Sequence, residues 1–405
     1  KKSTVISGLE ALSIDDDTRP VLVGERTNVL GSRRFKRLIS EGKIEEATEV
    51  GRQQVRGGAH VIDVCLQDPD RDEESDLIAI LEKVIRKVKV PIVVDTTDVK
   101  VLEEALKWTP GKSVINSINL EDGEKRFEEV VPLALKFGAA LIVGCIDEDK
   151  VQAQAITSQR KLEIAQRSFQ ILTEKFGVQP ENIIFDPLVF PVGTGDEAYI
   201  GSGVETIDGV RLIKEYLPNT KTVLGISNVS FGLPAAGREV LNAVMLYHCV
   251  QSGLDLAIVN TERLERYPSI PEEERRLAED LIWWRGEDPI GAFANHFRER
   301  KVKPSVKDRL NIPLDQRISA YIVDGTRDGL IEDLDSALAT KTPLEIINGP
   351  LMAGMDEVGR LFGRNELIVA EVLGSAESMK AAVTHLEPYM DKDDIANRGT
   401  ILLAT

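Results

Sequence analysis

Eight short apolar runs recur along residues 20–260, separated by stretches with helical spacing. The runs are Pro20–Gly24, Ala59–Cys65, Pro91–Asp95, Ser113–Ser117, Ala139–Cys145, Asn182–Asp186, Thr222–Ser227 and Leu254–Asn260. They are rich in Val, Ile and Leu with little alternation, as strands buried on both faces should be. Between them Ile44–Arg56, Glu73–Lys87 and Arg160–Phe176 carry the pattern of amphipathic helices. Eight βα units predict a closed (β/α)8 TIM barrel; an open doubly wound sheet is the competing arrangement. Ahead of the first run, Val5–Leu9 and Ala11–Ile14 read as a hairpin that plugs one end of the barrel.

The pattern then changes. From Leu264 to Leu310 it is helical and charged, and Lys301-Val302-Lys303-Pro304 reads as a linker. After Pro313 come four helical segments, Leu314–Asp328, Ile331–Thr340, Leu344–Phe362 and Val369–Met390. Ile347, Leu351, Met355, Val358 and Phe362 form one apolar stripe, and Thr342-Pro343 is a good helix start. A small four-helix bundle is expected. Gly399–Thr405 reads as an apolar strand that opens a further α/β domain. The expected organisation is therefore a barrel with its hairpin over 1–300, a linker over 301–312, a helical domain over 313–395 and the start of another domain over 396–405.

Barrel enzymes carry their reactive groups at the carboxyl ends of the strands. Those ends supply Glu25 and Asn28 on the first strand, Asp63 on the second, and Asp95, Asn116, Asp186, Asn228 and Asn260 on later ones. Singly, each could cap the helix that follows. Together they give one mouth lined by carboxylates and amides. That set suits a flat heterocycle with several N–H donors and a carbonyl, such as a pterin.

Two loops look like phosphate sites and fall short. Gly111-Lys112-Ser113 resembles the tail of a phosphate loop, but Leu106 stands where its leading Gly belongs. Gly193–Ala198 matches a relaxed dinucleotide fingerprint, yet Pro187–Val192 separates it from its strand.

The net charge of −17 argues against a nucleic-acid partner. One local basic cluster, Arg33, Arg34, Lys36 and Arg37, reads as a solvated helix face. Three cysteines without paired spacing suggest a reducing compartment, the cytoplasm, and no Cys-rich zinc site. The four histidines show no metal-ligand spacing, no nucleophile arrangement can be assembled, and no apolar run is long enough to span a membrane. No metal site is expected.

Val23-Gly24-Glu25-Arg26-Thr27-Asn28, Gly57-Gly58-Ala59 with Asp63, Val93-Val94-Asp95, Val114-Ile115-Asn116-Ser117, Phe185-Asp186-Pro187 and Ser227-Asn228-Val229-Ser230-Phe231 resemble the motifs of the pterin-binding methyltransferase family, in its order, over residues 20–300. Gly349–Met355, Val358-Gly359 and Leu361-Phe362-Gly363 look like the helical cap that precedes a cobalamin-binding domain. Barrel plus cap resembles the cobalamin-dependent methionine synthase family. Two features depart from the pattern: Cys65 stands where an Asn is usual, and the Pro234–Arg238 loop is longer.

The resemblance implies transfer of the N5 methyl of 5-methyltetrahydrofolate to cob(I)alamin, within methionine synthesis from homocysteine. Asn228 and Asp95 would be catalytic, with Asn228 beside N5. Asp95, Asn116 and Asp186 would hold the pterin, Glu25, Asn28 and Asp63 would support it, and Arg238 would stack on it. Phe362, Val369 and Val372 would shield the corrin of methylcobalamin, and a mobile linker over Lys301–Asn311 would let the cap swing away. The cobalamin-binding, activation and zinc–homocysteine domains would be partners within a longer parent chain. Alone, these residues would run only the folate half-reaction. A barrel that merely stores folate, and a methyltransferase serving a separate corrinoid protein, are the competing readings.

Overall fold

The structure, a computed structural model, describes residues 3–299, 312–327, 329–364, 367 and 369–390. The expected linker over 301–312, apart from Ile312, and the expected strand near the end lie outside the described residues. The chain divides into two compact units, 1–301 and 302–405.

The first unit bears out the barrel and excludes the open sheet. A two-stranded hairpin, β1 (Thr4–Ser7) and β2 (Ala11–Ile14), precedes eight parallel strands. These are β3 (Val21–Asn28), β4 (Val61–Cys65), β5 (Ile92–Asp95), β6 (Val114–Ile118), β7 (Ala140–Gly144), β8 (Ile183–Asp186), β9 (Lys221–Gly225) and β10 (Leu256–Val259). They pair in sequence order, and β10 closes on β3 with Leu256 opposite Val21.

The missing polar alternation has a physical reason. Successive side chains still point to opposite faces, but both faces are dry. Val21, Val23, Val61, Val93, Val114, Ile142, Ile184, Val223 and Leu256 fill the barrel interior. Their neighbours Ile62, Val64, Val94, Ile115, Leu141 and Phe185 pack outward under the helices. At the amino ends of the strands Ile6 and Ile14 of the hairpin join the interior cluster, both with no exposed area. Each contributes about 1.5–3 kcal/mol of apolar burial. Gly8 lets the hairpin turn lie flat, since a Cβ there would stand 2.3 Å from the Val90 carbonyl oxygen.

The helices that wrap the barrel include α1 (Arg33–Ser40), α2 (Ile44–Arg56), α3 (Glu73–Val84), α4 (Val99–Trp108), α5 (Lys125–Phe137), α6 (Ser158–Gln170), α7 (Ser202–Tyr216) and α8 (Ala235–Gln251). Several begin with the side-chain caps their sequences offer: Ser32 accepts from Phe35 N–H, Asp72 from Ser75 and Asp98 from Lys100.

The second unit is the expected helical bundle, with Leu314–Asp324, Leu330–Leu338, Pro343–Ile346 continued through Ile347–Leu351 into Met352–Gly363, and Val369–Leu386. Thr342 and Glu345 form a full capping box. Ile318, Ile322, Leu330, Leu334, Ile346, Leu351 and Leu386 make its core. The apolar stripe departs from expectation at its end. Leu361 takes the buried place after Val358, while Phe362 is 44% exposed. Both lie within one turn of Val358, so spacing alone does not choose between them. Val372 packs against the small Val358–Leu361–Leu367 cluster, and Val369 is half-buried. No helix among the described residues is long and apolar enough to cross a membrane.

Candidate functional site

Barrel closure brings the polar strand ends into one cleft of about 530 Å³, lined by Glu25, Asn28, Asp63, Asp95, Asn116, Asp186 and Asn228 among others. Asp95 and Asn116 are register partners on β5 and β6, and Asp186 ends β8 opposite Gly144. Every residue of the expected pterin site lines this cleft except Arg238, which lies on α8; of the polar strand ends only Asn260 falls outside it.

Asn28 organises two of the carboxylates. Its amide oxygen accepts from the N–H groups of Leu30 and Gly31 at 2.9 and 3.1 Å. That fixes which end of the amide faces inward. Its Nδ2 then donates to Asp63 Oδ2 at 3.0 Å and Asp95 Oδ2 at 3.3 Å. Asp63 Oδ1 is buried and makes no hydrogen bond of good geometry among the described residues, while the Asn116 amide lies near enough to the carboxyl to favour its anion. Burial, and next the charge of Asp95, hold the Asp63 carboxyl well above the usual range. Burial also pushes Asp95 up to about 6, against donation from the Cys65 thiol and from Asn28. Cys65, in the place of the usual Asn, thus donates to a site carboxylate; burial raises its own pKa, so the thiol keeps its proton.

Asp186 is also pushed up to about 6 by burial, opposed by the N–H of Leu188 and the charge of Lys161. Leu188 donates to Asp186 Oδ1 at 2.9 Å and has φ of 69°, in the left-handed region that costs a branched residue about 1–2 kcal/mol. Lys161 and Thr206 hold it there. The buried Lys161 ammonium donates to the carbonyls of Ala155 at 2.7 Å, Leu188 at 3.3 Å and Pro187, and lies 5.1 Å from the Phe190 ring centre. Thr206 Oγ1 donates to the Leu188 carbonyl at 2.9 Å. Burial lowers Lys161 to about 8. This clamp shapes the Leu188–Pro191 wall of the cleft.

Sequence reasoning overlooked Lys161, although a signal existed. It shares a buried helix stripe with Ile164, Ala165 and Ser168, where a lysine is out of place unless it has partners. Phe190 and Tyr199, stacked at 5.1 Å beside the cleft, were equally unmarked.

At the mouth, Glu25 accepts from Ser227 Oγ at 2.9 Å, and burial raises its carboxyl. Asn228 sits in the 3-10 turn Ile226–Ser230 after β9, exposed, with no side-chain hydrogen bond to a described residue. Arg238 instead lines a neighbouring lobe with Asn260. Its Nε donates to Ser230 Oγ at 3.1 Å, and its guanidinium lies 5.2 Å from the Phe231 ring centre. His60 accepts the Leu22 N–H at 3.0 Å and is structural. Gly193–Ala198 lies in the loop after β8 and leads only into the three-residue 3-10 turn Glu197–Tyr199, not into an α-helix at its glycines. No group of three or more potential metal ligands occurs among the described residues.

A closed parallel barrel with buried, incompletely satisfied carboxylates at the carboxyl ends of its strands defines a barrel with a polar small-molecule cleft. The sequence model of pterin binding enzymes matches residues 24–260, more than half of the chain, and the chain belongs to that family. Residues 314–387 match the B12 binding domain. The chain is similar to the methionine synthase of Mycobacterium tuberculosis, 40% identical over 413 residues that cover 99% of this chain and 34% of that protein. The methionine synthase of Mycobacterium leprae is 39% identical over 400 residues, covering 95% and 33%. The chain thus spans about a third of the length of these curated relatives. Among solved structures, a dihydropteroate synthase of Xanthomonas albilineans is similar at TM-score 0.48 and 17% identity, over 65% of this chain and 94% of that one.

Proposed function

We propose that the barrel binds 5-methyltetrahydrofolate and delivers its N5 methyl group to cob(I)alamin, as the folate half of a cobalamin-dependent methionine synthase. The observation that carries this reading is the unpartnered, buried Asp63 Oδ1 beside Asp95 and Asp186. A buried carboxylate oxygen without a donor is costly, and a pterin offers ring and exocyclic N–H groups to satisfy such acids. Asp95, Asn116 and Asp186 hold the heterocycle, Asn28 fixes the Asp63 and Asp95 carboxyls, and Glu25 supports the site from the rim.

Methyltetrahydrofolate is a tertiary amine at N5, a poor leaving group until protonated. Asn228, exposed and uncommitted, follows the changing charge at N5 with its amide. Cobalamin, when bound, supplies the cobalt nucleophile that takes the methyl group. In the helical unit the exposed ring of Phe362 suits the apolar face of a corrin, and Val369 and Val372 extend that surface. Zinc belongs to the homocysteine domain of the full-length enzyme, whose cobalamin-binding and activation domains are this unit's partners. Three buried free cysteines suit the cytoplasm.

Calorimetry tests the binding claim: wild type takes up methyltetrahydrofolate and Asp186→Ala does not. Equal affinity in both counts against the site. Methyl transfer to added cob(I)alamin separates this reading from folate storage, and transfer only to a separate corrinoid protein would favour the third reading.

A further inference from the structure

A buried ammonium is costly unless each of its N–H groups finds an acceptor. Lys161 has no exposed area, and its ammonium meets three carbonyls rather than a carboxylate: those of Ala155 at 2.7 Å, Leu188 at 3.3 Å and Pro187. The three carbonyls belong to two different loops. Ala155 lies in the loop after β7, where Ile146 bridges to Gln154 and the Ala155 N–H donates to the Cys145 carbonyl at 3.0 Å. Pro187 and Leu188 open the loop after β8. Gln154 from the first loop and Leu188 and Phe190 from the second line the carboxylate cleft, whereas Lys161 does not. The neighbouring helix leaves room for the lysine stem, because α7 carries Gly209 against it and a Cβ there would stand 2.6 Å from Lys161 Cδ. The titratable groups that act on the ammonium are Asp186, Glu205 and Cys145. Glu205 already accepts the Ser158 N–H at 2.5 Å, and burial keeps the Cys145 thiol protonated.

The second loop is where this arrangement acts on the site. Leu188 has φ of 69°, a conformation that its side chain disfavours. Only in such a turn does its N–H reach back to Asp186 Oδ1, at 2.9 Å. No described residue donates to Asp186 Oδ2, so that oxygen is the one offered to the cleft. Thr206 Oγ1 donates to the same Leu188 carbonyl at 2.9 Å and is the weaker, neutral partner of the ammonium.

We infer that Lys161 is a positioning residue for the heterocycle: it ties the loops after β7 and β8 together through their carbonyls, keeps Leu188 left-handed, and so makes Asp186 present one fixed oxygen beside Gln154. Lys161 itself never touches the substrate. The strain at Leu188 is met when the chain folds, and the ligand finds the cleft already shaped. Without the ammonium, Leu188 relaxes to negative φ, its N–H leaves Asp186, and binding must restore the turn. The inference rests on the pterin reading above.

A double-mutant cycle on the whole chain tests this, with affinity for methyltetrahydrofolate read by calorimetry. Lys161→Met keeps the apolar stem and removes the donors. It should weaken binding about tenfold, the cost of the left-handed turn expressed as affinity. Glycine takes a positive φ with little strain, so in a Leu188→Gly background the same Lys161→Met change should weaken binding about twofold or less. A lysine that merely completes the packing would cost the same in both backgrounds. If Lys161→Met does not fold, Thr206→Val takes its place in the cycle, with a loss of about threefold that Leu188→Gly again removes. Binding as tight as wild type in the folded single variant, or equal losses in the two backgrounds, overturns this inference alone. A wild-type protein that binds no folate overturns the pterin reading and this one with it.

Discussion

Two buried aspartates at opposite ends of the barrel show how burial serves stability in one place and binding in another. Asp255, just before β10 at the amino ends of the strands, is fully buried. It accepts from Arg19 Nη2 at 3.0 Å, Lys214 Nζ at 2.7 Å and the Thr222 N–H at 2.9 Å, with Lys221 Nζ at 3.8 Å. Asp63, on β4 at the other end, is also buried, yet one of its oxygens has no hydrogen-bond partner among the described residues and the charge that acts on it most is another carboxylate, Asp95. The first carboxyl group is satisfied by the fold. The second is left for something the fold does not contain. This matches the division of a TIM barrel into a stabilising bottom and a reactive top.

The sharpest break of the comparison is a pair of substitutions. Asp255→Ala leaves three cations around an empty site and should cost about 3–5 kcal/mol, read from urea unfolding. Asp63→Asn should leave stability within about 1 kcal/mol, because a near-isosteric neutral amide replaces a carboxyl that burial already pushes toward its neutral form, while folate binding is lost. If Asp63→Asn destabilises as much as Asp255→Ala, the two ends are alike and the contrast fails.

Next in size is the catalytic rim. Asn228→Ala should raise the methyl-transfer barrier by about 3 kcal/mol, near a hundredfold in kcat, with a small change in folate affinity. Weak binding with normal turnover would refute a role at N5.

The pH response is smaller and has a definite sign. Asp186 is pushed up to about 6 from its ordinary value of 3.8, so its anion is disfavoured in the folded protein. That penalty is fully present above pH 6, relaxes as pH falls through 6, and vanishes below the unfolded pKa. Ligand-free wild type should therefore gain about 1 kcal/mol relative to Asp186→Asn on going from pH 7 to pH 5. Parallel pH profiles for the two proteins would show that Asp186 carries no such penalty.

The smallest expected effect lies in the helical unit. Phe362→Ala should cost about 0.5 kcal/mol, as an exposed position does, against about 2–5 kcal/mol for the buried Leu334→Ala. With the cobalamin-binding domain present, Phe362→Ala should speed light-driven loss of the cobalt–carbon bond while leaving methyl transfer intact. Equal photolysis rates in mutant and wild type would mean that the ring lies over no corrin.

The sequence alone determined the order of elements, the eight βα units, the hairpin and the polar residues at the strand ends; that the sheet closes rather than stays open was decided by the structure. The former follow from local periods: a doubly buried parallel strand reads as an unbroken Val/Ile/Leu run, and a packed helix repeats every 3.6 residues. Only the tertiary structure decided which groups meet. Asn28 meets Asp63 from thirty-five positions away and Asp95 from sixty-seven, Lys161 reaches the Pro187–Leu188 carbonyls, and Arg238 lines the neighbouring lobe against Phe231. In the helical unit Leu361 took the core and Phe362 the surface. Periodicity records how often a residue faces inward. What it faces depends on a different stretch of chain, and a hydrogen bond or a desolvated charge exists only once barrel closure has brought both partners and excluded water from between them.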